Sequence, residues 1–209
     1  MGDALVSRPL IGTTVRLDPC TIDDAPGLIA AAGTPETFRW FSKAPDPFDA
    51  IGMRSYVQRL IDKPDVGPLT LRLVESGGKP GRIIGMTSYL DIRLAHRGLE
   101  IGWTFISPNH RGTKANPEMK RLLLAHAFES PLFPPAGFHR GGPALRVAIK
   151  TRLKNATSQR AIERLGATRE GVVRNHIIMP DGECLDTVMY SITPEQWPAV
   201  RNSLDERLN

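Results

Sequence analysis

Three strand-like runs follow one another with only short turns between them: LTLRLVES (69–76), GRIIGMTSYLDIRL (81–94) and LEIGWTFIS (99–107). SGGKPG and AHRG supply the turns, so the three runs predict an antiparallel meander. The third run then leads through PNHRGTKAN into a helix whose apolar positions are Met119, Leu122, Leu123 and Ala127. The irregular PLFPPAGFHRGGP (131–143) returns the chain to a fourth run, ALRVAIKT (144–151). A strand, helix, strand crossover favours parallel pairing. The sheet is therefore mixed, with one crossover in its middle.

The rest of the chain extends this frame at both ends. VRLDPC (15–20) alternates as a strand, and TIDDAPGLIAAAG (21–33) follows as a helix with Thr21 as N-cap and Gly33 as terminator. TPETFRWFSKAPDP (34–47) is rich in proline and aromatics, which predicts a loop that covers something. FDAIGMRSYVQRLIDKPD places Ile51, Tyr56, Val57, Leu60 and Ile61 near helical spacing. NATSQRAIERLG (155–166) predicts a short helix with an Asn N-cap, a Gly stop and an apolar face of Ala161, Ile162 and Leu165. GVVRNHIIM and CLDTVMYSI flank PDGE as a hairpin, and residues 193–209 form a terminal helix. The sum is a mixed α/β chain with a central sheet of about seven strands. Its length of 209 residues suits one domain, with a core over about 15–200.

Composition narrows the function classes. The formal charge of +5 is spread along the chain without dense Lys/Arg tracts interleaved with aromatics, so no nucleic-acid surface is expected. No run approaches the roughly 18 apolar residues of a membrane helix. Cys20 and Cys184 follow no metal or redox spacing, and each reads as a small apolar residue in a reducing compartment. A soluble cytoplasmic protein is the expectation, and a homodimer is compatible with it.

The loop between the third strand and its helix is the first candidate site. A strand that delivers the chain to a helix N-terminus aims unpaired N–H groups at one point, where the helix dipole adds positive charge. Arg111 and Lys114 add full charges, Gly112 lets the backbone approach, and Asn116 can cap the helix ahead of Pro117. Read locally, the same loop is equally an ordinary capped turn with a solvated basic face.

In its surroundings the loop carries a resemblance. LEIGWTFISPNHRGTKANPEMKRLLLAHAFE resembles the acetyl-CoA-binding segment of the GCN5-related N-acetyltransferases, and among them the RimJ/RimL-like branch. VAIKTRLKNATSQRAIERLGATREGVVRNHIIMPDGECLDTVMYSITPEQW resembles that branch's strand, Asn-x-x-Ser helix, Leu-Gly-Ala, Glu-Gly and hairpin in order, and VRLDPCTIDDAPGLIAAA its first strand and helix. The resemblance implies the acyl-CoA N-acyltransferase fold. It also implies transfer of an acetyl group from acetyl-CoA to a primary amine by direct attack, needing neither metal nor covalent nucleophile. The acceptor is a protein N-terminus or a small-molecule amine.

Carried onto this chain, the resemblance assigns the pantetheine arm to the backbone at Phe105 and Ile106. It assigns the pyrophosphate to Arg111, Gly112, Thr113, Lys114, Ala115 and Asn116, and polar contacts near the arm and sulfur to Asn155 and Ser158. Lys114 stands where the family loop has its central glycine. Ile162 stands where many members place a tyrosine that protonates the thiolate, which leaves Ser158 as the replacement. Locally, Asn155 is also a helix N-cap and Ser158 a first-turn polar residue.

Three readings of the general base stay open: Glu100 on the strand before the loop, His176 beyond the last short helix with Asp186 as its partner, or a bound water. His110 and His126 read as surface or capping residues, and Trp103 and Tyr190 as sheet packing. Trp40 and Phe41 fit either an acceptor pocket or the core. Lys114 and Ile162 also motivate a different class, a catalytically weak or inactive coenzyme sensor. A nucleotide-binding regulator using the basic loop is the remaining alternative.

Overall fold

The computed structural model describes residues 5, 7–137 and 139–209. Residues 1–4 and 6, part of an N-terminal stretch with no long apolar run, lie outside that range. Its elements are β1 (Leu10–Ile11), β2 (Val15–Pro19), α1 (Ala25–Ala32), α2 (Ala50–Ile61), β3 (Gly67–Glu75), β4 (Lys79–Arg93), β5 (Gly98–Ile106), α3 (Ala115–Glu129), β6 (Arg146–Arg152), α4 (Ala156–Leu165), β7 (Thr168–Ile178), β8 (Cys184–Ile192) and α5 (Trp197–Leu208). They form one eight-stranded sheet in the order β1-β2-β3-β4-β5-β6-β8-β7. The strand beyond the expected seven is the two-residue β1, too short to show a period.

Every neighbouring pair is antiparallel except β5 and β6. For β5 and β6 the reason is the one read from the sequence, the α3 crossover; the remaining neighbours meet through short turns, through insertion of β8 between β6 and β7, or, for β2 and β3, across the long connection that carries α1 and α2.

Side-chain alternation sorts the core onto two faces. On one face Leu99, Ile101, Val147, Ile149 and Val188 pack with Met119 and Leu123 of α3, Ile162 and Leu165 of α4, and Trp197 and Val200 of α5. On the other, Met86, Leu90 and Phe105 meet Leu28 of α1 and Met53, Tyr56 and Val57 of α2, around the hub ring of Phe38. Each such fully buried side chain contributes about 1.5–3 kcal/mol. This second cluster takes no residue from β6, β7 or β8, so α1 and α2 cover only the first half of the sheet.

Two expected core positions fall outside. Ile51 is 74% exposed, because it sits on the outer side of the first turn of α2, and Ala161 is exposed on α4. Both are one step off the helical stripe that Met53, Tyr56 and Leu60, or Ile162 and Leu165, define.

Candidate active site

The parallel pair is short. β5 and β6 are in register at Gly98 with Arg146, Leu99 with Val147 and Glu100 with Ala148, and then part. The cause lies on the other edge of β5. Met86 pairs with Phe105 and Ser88 with Gly102, so one extra residue is accommodated and Trp103 takes a left-handed φ of 46°. A bulge of this kind bends its strand. Beyond Glu100, the edge of β5 that faces β6 has no sheet partner among the described residues. Free main-chain groups of that kind are what an extended ligand arm can pair with. Phe105 and Ile106 lie on this stretch with buried side chains.

At the end of β5 the chain turns through Pro108–His110 and reaches Gly112 at a φ of 75°, a conformation open to glycine at little cost. Thr113 Oγ1 accepts the Ala115 N–H at 3.2 Å and α3 starts there, so Thr113 takes the capping place expected of Asn116, which lies inside the first turn. The amides of Gly112, Thr113, Lys114 and Asn116 have no hydrogen-bond partner among the described residues. They sit at the N-terminus of a 15-residue helix, which is the geometry of an anion seat. Arg111 is exposed beside it and donates its Nε–H to the Ile106 carbonyl at 2.9 Å, leaving its other guanidinium nitrogens available.

Lys114 directs its side chain away from the seat. Its backbone is right-handed, with φ −63° and ψ −11°, so the position does not need glycine. Its Nζ donates to the carbonyls of Leu208 and Asn209 at the C-terminal end of α5. The side chain leaves the seat, and its backbone N–H stays.

Glu100 is the last paired residue before the strands part. It is 3% exposed, and its Oε2 lies 2.8 Å from Lys150 Nζ. Burial pushes its carboxyl above the ordinary range, against the pull of Lys150 and Arg152 and with a smaller push from Asp91. The carboxylate lies over Gly102, where an added Cβ would stand 2.8 Å from Oε1. Lys120 of α3 lies within the field of Glu100. Burial of its ammonium end brings it down to about 8, with the Glu100 charge acting the other way.

Of the other expected residues, Asn155 is the N-cap of α4, its Oδ1 accepting the Ser158 N–H at 3.1 Å, and both side chains are half-buried just past the end of β6. The cap leaves the Ser158 hydroxyl uncommitted. Ile162 is buried in the core. His176 is exposed on β7; partial burial of its ring, then Lys150 and Arg152, hold its imidazole below the usual value. Asp186 does not pair with it. β7 loses register between Val173 and Ile177, Asn175 turns left-handed at a φ of 48°, and the Asn175 N–H donates to Asp186 Oδ1 at 2.8 Å.

His110 caps its turn through Ser107 Oγ at 2.8 Å. His126 is not a surface residue: it stacks on Tyr89, with ring centroids 5.9 Å apart. Tyr190 is sheet packing, as expected. Trp103 instead forms the bulge, with Lys63 Nζ 5.0 Å from its ring centroid. Trp40 and Phe41 are half-buried, and Phe41 joins the Phe38 cluster. No group of three His, Cys, Asp or Glu able to hold a metal occurs among the described residues.

Sequence reasoning missed Lys120, Lys150, Arg152 and Gly102. The signal for two of them was present: in VAIKTR the cations alternate at period two with the apolar Val147 and Ile149, which marks a polar face on an otherwise buried strand.

A parted parallel pair, a bare strand edge inside the fork and a helix N-terminus at its mouth make a place for an extended ligand with an anionic end. The profile of the Acetyltransferase (GNAT) domain matches residues 14–168, and the chain belongs to that family. Among solved structures, a T. thermophilus protein assigned as an acetyltransferase is 35% identical over 97% of each chain, with a TM-score of 0.82. Mycobacterium smegmatis RimJ, solved with CoA-disulfide, is 17% identical over 95% of this chain and 94% of its own, at a TM-score of 0.74. The spermidine N-acetyltransferase of Vibrio cholerae, solved with CoA and spermine, is 13% identical over 90% and 99%, at 0.68. No curated protein matches the sequence. Among the described residues no helix is long and apolar enough to cross a membrane.

Proposed function

We propose that this chain, acting as a single domain over about 15–200 in the cytoplasm, is an acetyl-CoA-dependent N-acetyltransferase of the RimJ/RimL-like branch. It acetylates a primary amine, on a protein N-terminus or a small molecule, by direct attack. The observation that carries the reading is Glu100: a buried carboxylate with a raised pKa at the point where the strands part, between a bare strand edge and a helix N-terminus with free amides. When bound, acetyl-CoA supplies the acetyl group as a thioester. The free amides of Gly112, Thr113, Lys114 and Asn116, with Ala115 between them and Arg111 beside them, hold its pyrophosphate; the edge at Phe105 and Ile106 holds the arm, flanked by Asn155 and Ser158.

Glu100 takes a proton from the attacking amine. A carboxylate whose pKa burial raises suits that task better than an ordinary one. Ser158, whose hydroxyl stands free at the head of α4, donates to the departing thiolate. Glu100 is preferred to His176 because it is buried at the fork whereas His176 is exposed. The Lys114 side chain leaves the seat, which removes one motive for the coenzyme-sensor reading; the absence of a tyrosine at Ile162 is the other, and the amine panel below tests it.

The test is thiol release from acetyl-CoA across a broad panel of primary amines. Turnover with any of them supports the enzyme. Tight coenzyme binding with no release from any amine sinks it.

A further inference from the structure

The face of β6 opposite the core carries Ala148, Lys150 and Arg152, because Val147 and Ile149 point the other way. Two-residue steps along a strand place these side chains about 6.6 Å apart, in a row that begins beside Glu100. Neither α1 nor α2 covers this half of the sheet. Lys150 is engaged by Glu100, and Arg152 has no such partner. It is 9% exposed; one terminal nitrogen donates to Thr187 Oγ1 on β8 at 3.3 Å, and its Nε is buried with no hydrogen bond. No carboxylate forms a salt bridge with it among the described residues. The molecule's other well-buried guanidinium, Arg16, is paired with Asp18.

A guanidinium nine-tenths buried and unpaired costs stability, because its desolvation is offset by neither a counter-ion nor a full set of acceptors. Such a group is a ready receptor for a planar anion, which it can hold through two parallel N–H bonds. Lys150 on the same row adds charge of the same sign, and His176 across β8 lies within the field of both. Resting on the reading of this cleft as an acetyl-transfer site, we propose that Arg152 binds an anionic group of the acceptor. The substrate class is then a small amine that also carries a carboxylate or a phosphate, held by its acid end at Arg152 with its amine at Glu100. In the step itself the neutral amine's nitrogen bonds to the acetyl carbon as the carbon–sulfur bond breaks, one proton passes from that nitrogen to Glu100, and the coenzyme leaves as its thiolate, which takes a proton from the Ser158 hydroxyl as Ser158 regains one from solvent. A polycation such as spermine meets like charge at this row and is disfavoured.

The experiment compares amines that differ only in the acid: tyrosine with tyramine and tryptophan with tryptamine for the carboxylate, and O-phosphoethanolamine with ethanolamine for the phosphate. Thiol release is the readout. At least one acid-bearing member should exceed its partner in kcat/KM by about thirtyfold or more, the scale of losing one partner of a buried charge pair. Arg152→Met should erase that preference through the KM of the acid, leave acetyl-CoA affinity within about twofold, and keep or raise the Tm. Arg152→Lys should restore part of the preference.

Turnover without any preference for the acids overturns the inference while leaving the enzyme reading intact. So does a loss of acetyl-CoA affinity in Arg152→Met equal to the loss for the acceptor, which would assign the arginine to the coenzyme. If no amine turns over, calorimetry with N-acetyltyrosine, N-acetyltyramine and N-acetyl-O-phosphoethanolamine in the presence of CoA decides separately. Binding of an acid-bearing ligand that Arg152→Met abolishes upholds the anion site although the enzyme reading has failed. No binding overturns both.

Discussion

Glu100 and Glu118 are both buried glutamates, at 3% and 5% exposure, and their surroundings drive them in opposite directions. Glu118, in the first turn of α3, would also be raised by burial, but it accepts the Thr13 hydroxyl at 2.7 Å and the amides of Thr13, Thr14 and Val15 at 2.6 to 2.8 Å. Those bonds outweigh desolvation and lower its pKa. Glu100 has one lysine and no backbone donor, and its pKa rises. A carboxylate wrapped in donors is built to stay charged and to clamp the β1–β2 turn onto α3. One left with a single cation at the mouth of a cleft is held ready to exchange a proton.

Replacing each in turn is the sharpest way to break the comparison. Glu100→Gln keeps the shape and removes the base, so kcat should fall by about 10²–10³-fold with the Tm little changed. If kcat falls less than about threefold, a bound water or His176 is the base. Glu118→Ala leaves three backbone N–H groups without their acceptor and should cost about 3 kcal/mol or more in a denaturant titration, with acetyl-CoA affinity following only through the fraction folded.

Their pH dependences should also have opposite signs. The depressed Glu118 contributes stability that is present above its unfolded value, near 4.5, and is lost as pH falls through its lower folded value. The raised Glu100 costs stability as pH climbs from 4.5 to its folded value. Over the same interval its ionisation switches activity on, so the acid limb of kcat/KM should lie above the ordinary glutamate range. Lys150 holds Glu100 down, so Lys150→Met should move that limb to still higher pH. A limb that does not move would separate the pair functionally.

The two glutamates were unequally legible in the sequence. Glu100 stands on a strand whose order before a loop and helix could be read from period and turn residues alone, and its place at the fork follows from the crossover. Glu118 follows Pro117 in a helix's first turn and looks like any acid near a positive helix end. Its four donors come from more than 100 residues away, beyond any local pattern. The parting of β5 from β6 was equally hidden, because it depends on a bulge at Trp103 that no turn residue announces. Lys150 and Arg152 carried a period-two signal, but their burial and the lack of a carboxylate for Arg152 are properties of three strands together.

Gly102 tests whether the position of Glu100 matters as well as its charge. A methyl there meets Glu100 Oε1 and Leu90 Cδ1, each at 2.8 Å, both being ends of flexible side chains. Gly102→Ala should therefore fold, shift the carboxylate, and lower kcat by about tenfold, since misplacement of about 1 Å can cost 10²-fold. Gly85 is the contrasting position: there a Cβ would lie 2.1 Å from the Phe105 carbonyl oxygen, which belongs to the backbone and cannot swing aside. Gly85→Ala should damage the sheet itself, visible as a loss of Tm beyond anything seen with Gly102→Ala.

The smallest effect is expected at Lys114, and its smallness is informative. A lysine at the start of a helix opposes the dipole there, whereas at a helix C-terminus the same charge is favourable by about 0.3–1 kcal/mol. Lys114 has its backbone in the first position and its ammonium in the second, spanning from the head of α3 to the tail of α5. Removing the side chain therefore subtracts a cap from α5 and leaves the N–H groups of the seat where they are. Lys114→Ala should lower stability by less than about 1 kcal/mol, and change the Kd for acetyl-CoA by less than about twofold, with no added salt dependence. A tenfold weakening that fades with salt would mean that the ammonium swings back to the phosphates on binding, so that α5 holds it only in the free protein. Lys114→Gly, which also frees the backbone, should bind acetyl-CoA no more tightly than Lys114→Ala. The right-handed backbone at this position already delivers its amide, and glycine would have to be fixed there at an entropic cost of roughly 0.5–1 kcal/mol.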